Sequence, residues 1–159
     1  MELSNQQVAK LLRDVAAAYT VKKTGNIFEI RAYENAADSI EHSTSEIKDL
    51  WEEGKLDEIP GLGQKMQGYL DKLFKTGKVR HFEEVKKGLK PIFFELLDIT
   101  GVGPKTAQKL VKSGIKNLDE LKNKIKPRNN RMLLPYAFAQ AQKVLDYLKK
   151  SKDVLEAHS

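Results

Sequence analysis

Ile99-Thr-Gly-Val-Gly-Pro-Lys-Thr-Ala-Gln-Lys-Leu110 has a near copy forty positions earlier, Ile59-Pro-Gly-Leu-Gly-Gln-Lys-Met-Gln-Gly-Tyr-Leu70. Each copy reads as the end of a helix, a hairpin turn with two glycines at alternate positions, and a second helix. The glycines are Gly61 and Gly63 in one copy and Gly101 and Gly103 in the other, and a lysine, Lys65 or Lys105, falls in the first turn of the second helix. Glycine admits positive φ and takes a Cβ out of the path of an approaching backbone or ligand. A helix start after such a turn presents N–H groups without intrahelical partners and a partial positive charge. Its natural ligand is an anion, most commonly phosphate.

A dinucleotide-binding fingerprint would need a preceding strand and a third glycine. Pro91-Ile-Phe-Phe-Glu-Leu-Leu-Asp98 reads instead as a short helix, and Thr106 stands in the third-glycine place. A plain turn between packed helices accounts for a single copy. Two copies with the lysine at the same position favour a pair of helix-hairpin-helix motifs that grip nucleic-acid backbone, giving affinity and position without reading bases.

The composition agrees with that reading and removes several others. At 159 residues the chain suffices for one domain or two small ones. A formal charge of +6 and a pI near 9.3 suit a polyanionic partner. There is no cysteine, which excludes disulfide frameworks, the usual zinc fingers and thiol catalysis. No apolar run has the length of a membrane span, and Met-Glu-Leu-Ser-Asn-Gln lacks the layout of a secretory signal. The expectation is a soluble intracellular monomer whose compartment is not readable.

In chain order, Ser4 is a cap for a helix from residue 5 to about 19, with Val8, Leu11, Leu12, Val15 and Tyr19 at helical spacing. Thr24-Gly25-Asn26 marks a turn. Phe28, Ile30, Tyr33, Ala36, Ala37 and Ile40 carry a second helix to about His42, with Tyr33 in the core and its hydroxyl at the rim. Ser45 is placed to cap a third helix, with Ile47, Leu50 and Trp51 inward, ending at Gly54. The helix after Gly63 buries Met66, Leu70, Leu73 and Phe74 and stops at Thr76-Gly77. Lys78 to Gly88 reads as a connecting helix, and the breakers in Gly88-Leu-Lys-Pro91 set a boundary between domains 1–88 and 89–159.

Pro104 opens the second hairpin's trailing helix, which ends at Ser113-Gly114, and Asn117-Leu-Asp-Glu-Leu-Lys is a short capped helix. A basic loop, Lys126 to Arg131, leads to a longer helix to about Lys150 carrying Ala137, Ala141, Val144, Leu145 and Leu148. No segment alternates as a strand does, so the expected fold is all-α, two small helical domains each with one helix-hairpin-helix motif.

Catalytic constellations are scarce. His42, His81 and His158 lie on different elements without ligand-like spacing. Glu52-Glu53 and Glu83-Glu84 are adjacent pairs whose side chains diverge on a helix, and Lys86-Lys87 and Lys149-Lys150 read as solvated faces.

With both hairpins placed, the chain resembles the N-terminal part of the family X DNA polymerases, the repair enzymes that include DNA polymerase beta. The residues that carry the resemblance are Ser4-Asn-Gln-Gln-Val-Ala-Lys-Leu-Leu-Arg13, Phe28-Glu-Ile-Arg-Ala-Tyr-Glu-Asn-Ala-Ala37, Glu53-Gly-Lys-Leu-Asp-Glu-Ile-Pro-Gly-Leu-Gly63, Thr76-Gly-Lys78 and Gly101-Val-Gly-Pro104. The resemblance implies base excision repair, with a lyase-like first module that grips the 5′-phosphate side of a gap in duplex DNA and a second that holds the primer-side backbone. It places Gly61, Gly63 and Lys65 on the downstream strand, Tyr33 at the mouth of the 5′-phosphate pocket, and Gly101, Gly103, Lys105 and Thr106 on the primer side. It also implies Na+ or K+ held by the backbone carbonyls of Ile59 and Leu62 in one hairpin, and of Leu97, Ile99 and Val102 in the other.

The departures matter too. The chain ends at Glu156-Ala-His-Ser159, about where the family's catalytic palm would begin, so nucleotidyl transfer and its Mg2+ are expected only if a palm exists in a longer protein. Lyase chemistry needs an amine that attacks the sugar aldehyde as a Schiff base. At the family's lysine position this sequence has Tyr69, and Phe28, Glu29, Asp57 and His81 stand where the family carries His and Lys. Lys72, seven residues after Lys65, is the one candidate rescue. DNA binding with little or no lyase activity is therefore expected. The alternative reading is a helical adaptor for a protein partner, its basic charge serving solubility.

Overall fold

The computed structural model describes residues 3–99 and 101–124, with side chains through Leu121. Its contacts divide the chain into two units, Met1–Gly88 and Leu89–Ser159. The fold is all-α, with no strand among the described residues. No described helix is long and apolar enough to cross a membrane.

The first unit holds α1 (Asn5–Lys22), α2 (Ile27–Glu41), α3 (Ile47–Glu52), a 3₁₀ turn (Leu56–Glu58), α4 (Gln64–Thr76) and α5 (Arg80–Lys86). A capping box starts α1, where the Gln7 N–H donates to Ser4 Oγ at 3.2 Å and the Ser4 N–H to Gln7 Oε1 at 2.9 Å. The helix runs three residues past its expected end at residue 19. It closes on Lys23 in the left-handed region (φ 56°), with the Thr24 N–H donating back to the Tyr19 carbonyl at 3.1 Å. Gly25, at φ +72°, then lets the chain fold across the Tyr19 ring. A Cβ there would lie 2.8 Å from that ring.

α1 packs on α2, and buried Ala9, Ala16, Ala36 and Ala37 let the two backbones come close while Leu12, Val15, Tyr33 and Ile40 fill the space between. Each fully buried Leu, Val or Ile stabilises the unit by about 1.5–3 kcal/mol. Phe28 does not join this stripe. It is 76 % exposed, beside Ile27 at 55 %, because five positions separate it from Tyr33, about 140° around the helix from the face that meets α1.

Ser45 does not cap α3. Its N–H is engaged with Ser43 Oγ at 3.2 Å, and the cap position falls to Glu46, which makes no side-chain cap bond. Asn5, in the first turn of α1, supplies the partner instead. Its Oδ1 accepts from the Ile47 N–H at 2.8 Å and its Nδ2 donates to the Ser45 carbonyl at 2.9 Å. Leu50 and Trp51 are half-buried, as is Phe74, whose ring stacks on Trp51 with centroids 5.3 Å apart. The Trp51 Nε1–H donates to Asp71 of α4 at 2.8 Å.

α5, expected as a connector, is part of the first unit's core. Phe82 is buried, Lys22 Nζ donates to the Val85 carbonyl at 2.6 Å, and the Tyr19 hydroxyl and His81 Nε2 are 2.8 Å apart.

The second unit contains α6 (Pro91–Leu96), α7 (Pro104–Lys112) and α8 (Leu118–Lys124), with a proline opening each of the first two. Ile92, Phe93, Leu96, Ile99, Val102, Ala107 and Leu110 form its buried side, joined by Ile115 and Leu121. Asn117 Oδ1 accepts from the Glu120 N–H at 2.7 Å and so caps α8. The expected basic loop from Lys126 and the expected longer helix after it, with Ala137, Ala141, Val144, Leu145, Leu148 and Lys149-Lys150, fall outside the described residues.

Candidate nucleic-acid interface

The two hairpins share one backbone. In each, the first glycine has positive φ, +77° at Gly61 and +90° at Gly101, a conformation that costs an L-residue about 1–2 kcal/mol. The second glycine does not. Gly63 (φ −72°) and Gly103 (φ −91°) are extended residues at the N-caps of α4 and α7, in a conformation any residue adopts. A Cβ built on either meets nothing within 4 Å. No steric demand inside either unit calls for glycine at these two positions, and both lie open to an approaching group.

What such a visitor would meet is a row of donors. α1 and α2 have their first-turn N–H groups capped by Ser4 and Asn26, and α3 borrows Asn5. α4 and α7 have no side-chain cap hydrogen bond at all, so the open N–H groups and the positive helix end face outward. α5 and α6 lack side-chain caps as well, and each follows a positive-φ glycine, Gly77 or Gly88, but their cap positions hold Val79 and Lys90 in place of a second glycine. Lys65 and Lys105 are exposed in the first turns of α4 and α7, and among the described residues neither pairs with an acid.

Beside the first hairpin is a cavity of about 110 Å³, lined by Glu29, Ala32 and Tyr33 of α2, by Gly61 and Gly63, and by Lys65, Met66 and Tyr69 of α4. Four residues expected at the first site, Tyr33, Gly61, Gly63 and Lys65, are thus brought together. Tyr33 forms part of the wall and is only 4 % exposed. Burial pushes its phenol well above the ordinary range, with the neighbouring Tyr19 and Tyr69 adding to the effect, so it is a neutral hydroxyl. Lys72 is exposed and does not line the cavity. At the second hairpin Gly101, Gly103, Lys105 and the half-buried Thr106 sit together at the start of α7.

An aromatic column under the first cavity was not visible in the sequence. Tyr69 stacks on His81 with centroids 5.3 Å apart and planes 5° from parallel, and on Tyr33 at 6.3 Å and 14°. Phe82 meets Tyr69 edge-on at 5.1 Å, and Tyr33 contacts Tyr19 at 5.8 Å. The column joins α1, α2, α4 and α5, elements whose spacing along the chain holds no periodic signal for it. Tyr69 and His81, noted in the sequence as separate losses of lysine, are one contact here.

The carbonyls that the resemblance assigns to a cation are engaged differently in the two hairpins. In the first, the Leu62 carbonyl already accepts from Gln67 Nε2 at 2.9 Å. In the second, the equivalent of Gln67 is Ala107, whose side chain has no donor to offer. Among the described residues no three His, Cys, Asp or Glu side chains converge as metal ligands.

This geometry defines a protein of paired helix-hairpin-helix units. Residues 3–79 match the family described as a helix-hairpin-helix domain, and residues 95–131 the fingers domain of DNA polymerase lambda. The chain corresponds to the N-terminal region of a family X DNA polymerase. It is similar to the DNA polymerase lambda of Arabidopsis thaliana, 34 % identical over 70 residues, which are 43 % of this chain and 13 % of that relative. The chain therefore spans a small part of that relative's length.

Proposed function

We propose that both hairpins bind DNA backbone phosphates without sequence preference, and that the ligand is a gapped or nicked duplex, with the first hairpin on the 5′-phosphate side and the second on the primer side. The observation that carries this is the pair Gly63 and Gly103. Both have an ordinary φ, both open onto empty space, and both stand at an uncapped helix start with an exposed lysine two residues on. Phosphate oxygens accepting from those N–H groups would occupy that space, and any side chain there would stand in their way. The net charge of +6 favours the encounter.

In this reading Lys65 and Lys105 add charge to the two grips, Thr106 a hydroxyl to the second, and Na+ or K+ belongs to the carbonyls of Leu97, Ile99 and Val102. The protein acts as a monomer, as the DNA-binding front of a repair polymerase. Lyase chemistry is weak, since Tyr69 cannot form an imine and Lys72 lies away from the cavity lining. Titration of a one-nucleotide gapped duplex at 50 and 200 mM salt tests the proposal. Neutralising about four to six phosphates lowers affinity roughly a hundred-fold or more over that range. Undetectable or salt-independent binding would refute it.

A further inference from the structure

The hairpins repeat each other bond for bond along the backbone. The Leu62 N–H donates to the Ile59 carbonyl at 3.3 Å and the Val102 N–H to the Ile99 carbonyl at 3.0 Å; the Gln67 N–H reaches the Gly63 carbonyl at 3.0 Å and the Ala107 N–H the Gly103 carbonyl at 2.9 Å. They differ in the side chain that reaches back to the turn carbonyl. Gln67 turns its amide back onto the Leu62 carbonyl at 2.9 Å, and the residue forty positions on is Ala107.

We propose that the Gln67 amide stands in for the monovalent cation at the first hairpin, so that the cation dependence of DNA binding belongs to the second hairpin alone. A bare Na+ or K+ is held by carbonyl oxygens whose lone pairs point at it. At Leu62 a side-chain N–H already lies on that oxygen and brings its partial positive charge to the place the ion would take. The amide is neutral overall, so the first hairpin grips phosphate with N–H groups and Lys65 only. The second, with no donor at Ala107, leaves the Val102 oxygen without that closure, and a full cationic charge is added there. The two grips then respond differently to the kind of salt, although both weaken with its concentration.

This inference rests on the DNA-binding reading, and the test separates the two. Affinity of the full chain for a gapped duplex is measured at one ionic strength in KCl and in tetramethylammonium chloride, whose cation is too large for a carbonyl site. The wild type binds more tightly in KCl. Gln67→Ala gives the first hairpin the second's residue and raises the ratio of the two affinities about threefold or more. Gln67→Leu, which fills the same space without a donor, behaves alike. In crystals of the complex grown with Tl+ as a K+ substitute, the anomalous peak lies at the Val102 carbonyl and none lies at Leu62. A Tl+ peak on the wild-type Leu62 carbonyl, or an unchanged salt ratio in both Gln67 variants, overturns the inference while the DNA reading stands. Absence of binding in both salts removes the DNA reading, and the inference with it.

Discussion

The rings of Tyr69 and His81 lie parallel, 5° apart in tilt with centroids separated by 5.3 Å, and the far nitrogen of that imidazole is 2.8 Å from the Tyr19 hydroxyl. Where lysines would make the first cavity basic and reactive, the chain has a stacked aromatic column that ties α4 to α5 and α1. His81→Ala removes both the stack and the hydrogen bond and lowers unfolding free energy by about 1–3 kcal/mol. Tyr69→Phe keeps the stack and costs within about 1 kcal/mol. Urea denaturation measures both, and equal effects would contradict the column's role.

The same column predicts a chemical silence. Borohydride reduction on an incised abasic duplex traps little or no covalent adduct in protein that still binds gapped DNA. A strong adduct that vanishes with Lys72→Ala or with Lys65→Ala would show an amine at work despite Tyr69.

The two glycines of each hairpin separate under substitution. Gly61→Ala forces a Cβ into φ +77° and lowers stability by about 1–2 kcal/mol. Gly63→Ala meets open space and costs only the difference between glycine and alanine at an N-cap, about 0.5–1 kcal/mol. Its effect falls on DNA affinity. Gly103→Asp weakens binding further, because a carboxylate at the phosphate-facing helix end repels the ligand. A folded Gly103→Asp protein with full affinity would favour the adaptor reading.

Replacing Lys65 and Lys105 together with Ala weakens binding to the same degree on duplexes of different sequence. The slope of log affinity against log salt becomes shallower by about 2, close to one unit per lysine. Loss confined to one sequence would contradict a backbone grip.

Asp71 gives a pH signature. The Trp51 indole N–H, and after it Lys75, hold its carboxyl below the ordinary aspartate value. A carboxylate with a lowered folded pKa contributes stability above its unfolded value and loses it as pH falls through the folded one, here below about 4. Trp51 is the only tryptophan in the chain. Its fluorescence therefore shifts in that acid window in the wild type and not in Asp71→Asn, and identical curves would sever the link.

What could be read without coordinates follows the range of the forces involved. Helices and hairpin turns were legible because apolar periodicity, prolines and paired glycines act over a few residues, as at α4 and α7. The end of α1 was misplaced because Lys23, with no glycine to mark it, takes the left-handed cap. Phe28 was misassigned because hydrophobicity was read without its angular position. The Asn5 bonds and the Tyr69–His81 stack join residues far apart in the chain, and no local pattern encodes them. At the candidate site the residues of each hairpin were legible as a group, whereas the closure of the Leu62 carbonyl by Gln67 was not.

Asn5 carries a last consequence. It holds the start of α3 through Ser45 and Ile47, α3 holds Trp51, and Trp51 holds Asp71 on the helix that follows the first hairpin. Asn5→Ala would cut the first link of this series, and its effect would travel through α3 to α4 without any hairpin residue being changed.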